Sequence, residues 1–164
     1  MTFKGNSLKI SEEGDYMFAC TFIGHKDFSQ KHFEKLYIEV ENLILFKDVR
    51  VFYVGTNGAF DNAVYRVLCN LRENYNIEIK VMVAYLNQKS TIKYLDNETI
   101  FPSVLEKTPL KYAISKRNMY MIDESQYMIC YLNHTFSNSY TFVKYALSHK
   151  LQVINIGNFD INRI

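Results

Sequence analysis

The chain has 164 residues, 48% apolar and 15% aromatic, enough for one compact domain with a substantial core. Nineteen basic residues against seventeen acidic ones leave a net charge of +2, too little by itself to mark a nucleic-acid-binding surface. Cys20, Cys69 and Cys130 lie far apart in apolar runs with no CxxC or Cys/His ligand spacing. That indicates neither a disulfide framework nor a zinc site, and predicts three buried, reduced thiols.

The first 15 residues are polar, contain Gly5 and Gly14, and read as an N-terminal arm or short hairpin outside the core. No signal-type apolar stretch opens the chain, and no run of about 18 apolar residues follows, so a cytoplasmic protein without a membrane partner is expected. Residues 16–164 form a single domain in this reading.

Residues 17–23 form the first strand and end in the turn Gly24-His25-Lys26-Asp27. Ser29 is placed to cap a helix over 30–46, whose Phe33, Leu36, Tyr37, Val40, Leu43 and Ile44 recur at helical spacing. A strand over 50–54 ends in Gly55-Thr56-Asn57-Gly58, and a helix over 60–74 turns Ala63, Val64, Val67, Leu68 and Leu71 inward. Residues 77–86 form a third strand. Periodicity then fails over 87–110, where both prolines (Pro102 and Pro109) fall, and a long excursion of this kind is usually functional or carries short helices. A helix over 111–124, a strand over 127–132, a helix over 140–149 and a strand over 152–156 complete the pattern.

Apolar strands alternating with amphipathic helices predict an α/β fold of Rossmann-like, doubly wound type, with about five parallel strands and helices on both faces. Right-handed crossovers make the order third-second-first-fourth-fifth the most economical. The first and fourth strands are then neighbours at the switch point, where such sheets bind ligands beyond their carboxyl ends.

Three loops bring suitable residues to that edge. Gly55-Thr56-Asn57-Gly58 combines glycines, which allow close approach to backbone N–H groups, with a following helix N-terminus. The same residues also suit an ordinary tight turn. It is neither a P-loop nor a GxGxxG fingerprint. The loop His134-Thr135-Phe136-Ser137-Asn138-Ser139 offers hydroxyls, an amide and an imidazole, though Ser137 or Ser139 equally suits a helix cap. Gly24, His25 and Lys26 form the third loop, and His25 approaches His134 if the strand order holds. Arg117 can reach a phosphate with its fork of donors or lie on a solvated helix face, and Asp61 is an available carboxylate. The candidate ligand-binding set is Gly24, His25, Lys26, Gly55, Thr56, Asn57, Gly58, Asp61, Arg117, His134, Ser137, Asn138 and Ser139. No metal or cofactor is expected.

The segments CTFIGHKDF, FYVGTNGAFD, KRNMYMIDESQYMICYLNH and SNSYTFVKYA, in this order, resemble the SLOG superfamily, and within it the small bacterial YpsA-like branch. The resemblance implies a Rossmann-like domain that binds nucleotides or nucleotide-derived ligands. Its relatives include Lonely-guy phosphoribohydrolases, single-strand-binding DNA-processing proteins and sensors of signals derived from ADP-ribose. By position, Gly24, His25, Gly55, Asn57, Gly58 and Arg117 match the family's pocket residues. Two departures stand out. Ser137-Asn138 replaces the family's Gly-Gly pair, and the next helix, Tyr140-Thr141-Phe142-Val143-Lys144, lacks the hydrolases' glutamate.

The expected function is therefore binding or sensing of a small phosphorylated ligand. The alternative is a nucleotide N-glycosidase in which Asp61 or Asp27 replaces the glutamate, with Arg117 and Asp61 as the catalytic candidates. Single-stranded nucleic-acid binding ranks last, because the basic residues are scattered and nucleic acid is not an expected partner. Homo-oligomerisation is left open.

Overall fold

The computed structural model describes residues 9–10, 16–86, 94 and 98–164. Most of the expected N-terminal arm, and residues 87–93 and 95–97 of the excursion, lie outside the described residues.

The sheet is built on β2 (Tyr16–Gly24), β3 (Val49–Val54), β4 (Glu78–Met82), β6 (Tyr127–Tyr131) and β7 (Gln152–Asn155). Two short strands join them, β1 (Lys9–Ile10) and β5 (Thr99–Ile100). The order is β5-β4-β3-β2-β6-β7, with every pairing along this path parallel. This is the predicted order of five principal strands, extended at one edge by β5. Among the described strands β1 alone is antiparallel, with Lys9 opposite Met17 and Ile10 opposite Tyr16.

Among the described residues, four α-helices cover the two faces. On one, α1 (Phe33–Lys47) and α2 (Ala59–Arg72) bury Leu36, Val40, Val64, Leu68 and Leu71 against Phe22, Phe52, Val81 and Ile129. On the other, α3 (Ala113–Asp123) and α4 (Asn138–Ser148) place Met121, Ile122, Val143 and Ala146 over Ala19, Tyr53, Met128 and Cys130. Successive residues of a strand serve opposite cores, so a central strand must be apolar throughout. β6 is buried at all five positions for this reason. Each fully buried Leu or Val contributes about 1.5–3 kcal/mol relative to exposure.

Several local expectations differ from the structure. Ser29 precedes a 3-10 turn, Gln30–His32, rather than α1 itself, and its hydroxyl makes no capping bond. Its Oγ is buried without a partner among the described residues. The third strand ends at Met82, not at 86; Val83 N–H makes one further bond to β5, at Ile100 O (2.9 Å), before the chain leaves the ladder. The helix expected over 111–124 begins as a 3-10 turn, Leu110–Tyr112, directly after Pro109. Cys20 and Cys130 are buried free thiols, whereas Cys69 on α2 is only partly covered. Burial pushes the Cys130 thiol up to about 12, so it stays protonated.

Candidate functional site

A cleft of about 880 Å³ opens at the carboxyl edge of the sheet between β2 and β6, whose outgoing connections over α1 and α4 run to opposite sides. This is the switch point, and the volume falls in the range of small-molecule sites. Its walls include Gly24, His25, Lys26, Asp27, Asn57, Gly58, Asp61, Arg117, His134, Ser137, Asn138 and Ser139. Of the sequence-predicted set, Gly55 and Thr56 do not line it. The apolar Phe22, Ile23, Ile114 and Phe142, and the polar Ser115 and Asn118, line it without having been singled out. On α3, Ile114 lies three and four residues before Arg117 and Asn118, and Ser115 three before Asn118, so this helical spacing was the available signal.

The turn between β3 and α2 is organised by two buried ionisable side chains. Gly58 has φ 103° and ψ 178°, a conformation that favours glycine and turns the chain into α2. Asp61, in the first turn of α2, reaches back to accept the Asn57 N–H at 2.8 Å. From α3, Arg117 donates through Nη1 to Asn57 Oδ1 at 2.7 Å and through Nη2 to Asn118 Oδ1 at 2.8 Å. Nη1 also lies 3.4 Å from Met82 O at the end of β4.

Arg117 is only 2% exposed, which overturns the solvated-face reading of this position. Its fork is spent largely on Asn57 and Asn118, so it sets the two carboxamides that face the cleft. Burial raises the Asp61 carboxyl above the usual carboxylate range, opposed by Arg117 and by the Asn57 N–H. Burial likewise lowers the Arg117 guanidinium, opposed by Asp61, but an arginine remains charged.

Two glycines in this region are dictated by packing. A Cβ on Gly55 would lie 2.6 Å from Asp61 Oδ2 and 2.8 Å from Arg117 Nη2. A Cβ on Gly24 would meet the Phe60 ring at 2.3 Å. Gly58 alone has open space around it.

The two histidines foreseen as neighbours do meet. His25 N–H bonds to Tyr131 O at 3.1 Å, which carries the β2–β6 ladder one step beyond the strand. Its ring stacks on His134 with centroids 4.1 Å apart and planes 10° apart. His25 is the buried partner at 6% exposure, and its Nε2 has no hydrogen-bond partner among the described residues. Burial lowers the His25 pKa, the charge on His134 lowers it further, and Asp27 opposes both.

Ser137 caps α4, its Oγ accepting the Tyr140 N–H at 3.2 Å, as the helix-cap reading of that loop required. The loop is anchored from behind by Asn155, unmarked in the sequence. Asn155 Oδ1 accepts from Leu132 N–H and Gly157 N–H, each at 2.9 Å. Its Nδ2 donates to Leu132 O at 2.9 Å and Phe159 O at 2.8 Å.

Among the described residues, no cluster of three metal-ligating side chains occurs, and no helix is long and apolar enough to cross a membrane. The fold and the position of its cleft define an α/β protein of Rossmann-like type.

No family model matches the chain, and no curated protein matches it. Its fold is similar to that of DNA processing protein A (DprA) from Streptococcus pneumoniae, with a TM-score of 0.59 and 13% sequence identity. The match covers 89% of this chain and 52% of that one, so this chain spans about half the length of its neighbour. The likeness supports the Rossmann-like α/β fold expected from the sequence.

Proposed function

We propose that the cleft binds a small phosphorylated molecule of the nucleotide class, in a binding or sensing role, as part of a cytoplasmic protein of the YpsA-like branch. The observation that carries this reading is the convergence of the N-terminal ends of α2 and α4 with His25 on one cleft at the switch point. The first-turn N–H groups of a helix lack intrahelical acceptors, and the macrodipole adds partial positive charge there. Asn57 N–H is held by Asp61 and Tyr140 N–H by Ser137, so the anion would bind the remaining donors of the two helix starts.

Two other readings have specific support. Asp27 and Asp61 both line the cleft, which keeps an N-glycosidase in view, although Asp61 is already bonded to the Asn57 N–H. The fold likeness to a DNA-processing protein favours single-stranded nucleic acid. Phe136, 92% exposed on the loop between His134 and Ser137, is an aromatic surface on which a base can stack.

Thermal-shift measurements with AMP, NAD, ADP-ribose, cyclic dinucleotides and a short oligodeoxynucleotide, followed by chromatography of the mixtures, separate the three. A ligand at a hundred times its Kd stabilises the fold by about 2.7 kcal/mol. A nucleotide shift without turnover supports the proposal. Release of free base establishes the glycosidase, and a salt-sensitive shift with the oligonucleotide alone establishes the nucleic-acid reading.

A further inference from the structure

The stacked imidazoles pose a physical problem that the rest of the cleft does not solve. A buried polar atom left without a partner costs about 1–3 kcal/mol, and His25 Nε2 is such an atom among the described residues. His25 lines the cleft but its Nε2 has no solvent-accessible surface, so an occupant of the cleft supplies the missing partner when the His25–His134 stack opens. The ring is covered on one face by His134 at 4.1 Å, which resists simultaneous protonation of the pair.

We infer that anion binding in this cleft takes up a proton at the His25–His134 pair, with His25 Nε2–H donating to the anion. The inference rests on the proposed phosphate-class ligand and adds its protonation chemistry and the residue that selects for negative charge. An anion supplies both the acceptor that Nε2 lacks and the countercharge that permits an imidazolium. The charged and titratable neighbours are Lys26 and Asp27 on the same loop, His134 on the β6–α4 loop, and Tyr131 on β6. His32 packs against Tyr131, and Asp61 and Arg117 lie on α2 and α3 along the cleft. Of these neighbours, His134 disfavours a positive charge on His25 and Asp27 favours it.

The sign follows from the two states. Without an anion His25 titrates below the ordinary histidine value, for the burial and like-charge reasons given above. A bound anion raises that value, so between the two values binding takes up a proton and affinity rises as pH falls. The limiting slope is about tenfold in affinity per pH unit.

The test uses probes whose charge does not change between about pH 5 and pH 8, the working window of an imidazole: sulfate and ADP-ribose. Calorimetric titrations of the whole chain are run across that range, in buffers of low and high ionisation enthalpy. Affinity that falls as pH rises, with a buffer-dependent heat equal to part of a proton taken up, supports the inference. His25→Gln keeps a donor but cannot titrate, so the pH slope and the proton uptake should both vanish. If that variant does not fold, His134→Gln serves instead: with the repelling ring gone, the pH dependence should shift upward. Flat affinity with no buffer effect overturns the inference, as does an unchanged slope in both variants. If ADP-ribose binds in this pH-independent way, proton uptake alone fails and the phosphorylated-ligand reading stands. If neither these probes nor any compound in the thermal-shift series binds, the ligand reading itself fails.

Discussion

Arg117 Nη1 donates to Asn57 Oδ1 at 2.7 Å, joining a helix on one face of the sheet to the turn that begins a helix on the other. The bond spans 60 residues of sequence and is reinforced by Asn118 Oδ1, which accepts from Arg117 Nη2 and Nε. Arg117→Ala should therefore act first on stability. It leaves Asp61 buried without its cation and two carboxamide oxygens without donors, at a cost of about 3–5 kcal/mol. Arg117→Lys keeps the charge but cannot serve Asn57 and Asn118 together, and should cost less. Urea unfolding of both variants checks the order. Equal and negligible losses would remove Arg117 from its organising role.

The glycines of the same turn should separate by mechanism. Gly58→Ala meets no atom but forces a side chain into a glycine-favouring conformation, for about 1–3 kcal/mol. Gly55→Ala must displace the Asp61 carboxylate and the Arg117 guanidinium, and should be the more damaging of the two. Thermal melts decide between them. A neutral Gly55→Ala would mean that the buried pair can open without cost.

Asn155 should prove as important as any residue of the cleft wall while touching no ligand. Asn155→Leu has similar bulk but loses bonds to Leu132, Gly157 and Phe159, for about 2–4 kcal/mol if the freed groups stay dry. The loop carrying His134 and Ser137 follows Leu132 directly, so ligand affinity should fall as well. Unfolding curves and nucleotide titration of the same variant test both effects.

Histidine titration predicts how stability responds to acid. The folded-state pKa of His25 is depressed below its unfolded value near 6.5. Its contribution is complete above that value and is lost as pH falls below it, because the unfolded chain takes the proton first. His25→Gln should therefore be less sensitive than the wild type between about pH 7.5 and pH 5.5, by at most about 1.4 kcal/mol per unit. Chemical unfolding at the two pH values measures the difference, and parallel losses would exclude His25 as the sensitive group.

Local patterning was enough to reveal the sheet order and the switch point. Residues 127–131 are apolar at every position, as a strand covered on both faces must be, and α2 repeats its apolar side chains at helical spacing. The cleft was legible for the same reason, since strand order alone brings Gly24, Gly58 and His134 to one edge. The roles of individual side chains were not. That Arg117 is buried, that Gly55 makes room for Arg117 and Asp61, and that Asn155 holds the His134 loop all depend on contacts between distant segments. Periodicity reports which face of an element is apolar. It carries no information about which polar groups meet across the sheet edge, because those pairings exist only once the crossovers have closed.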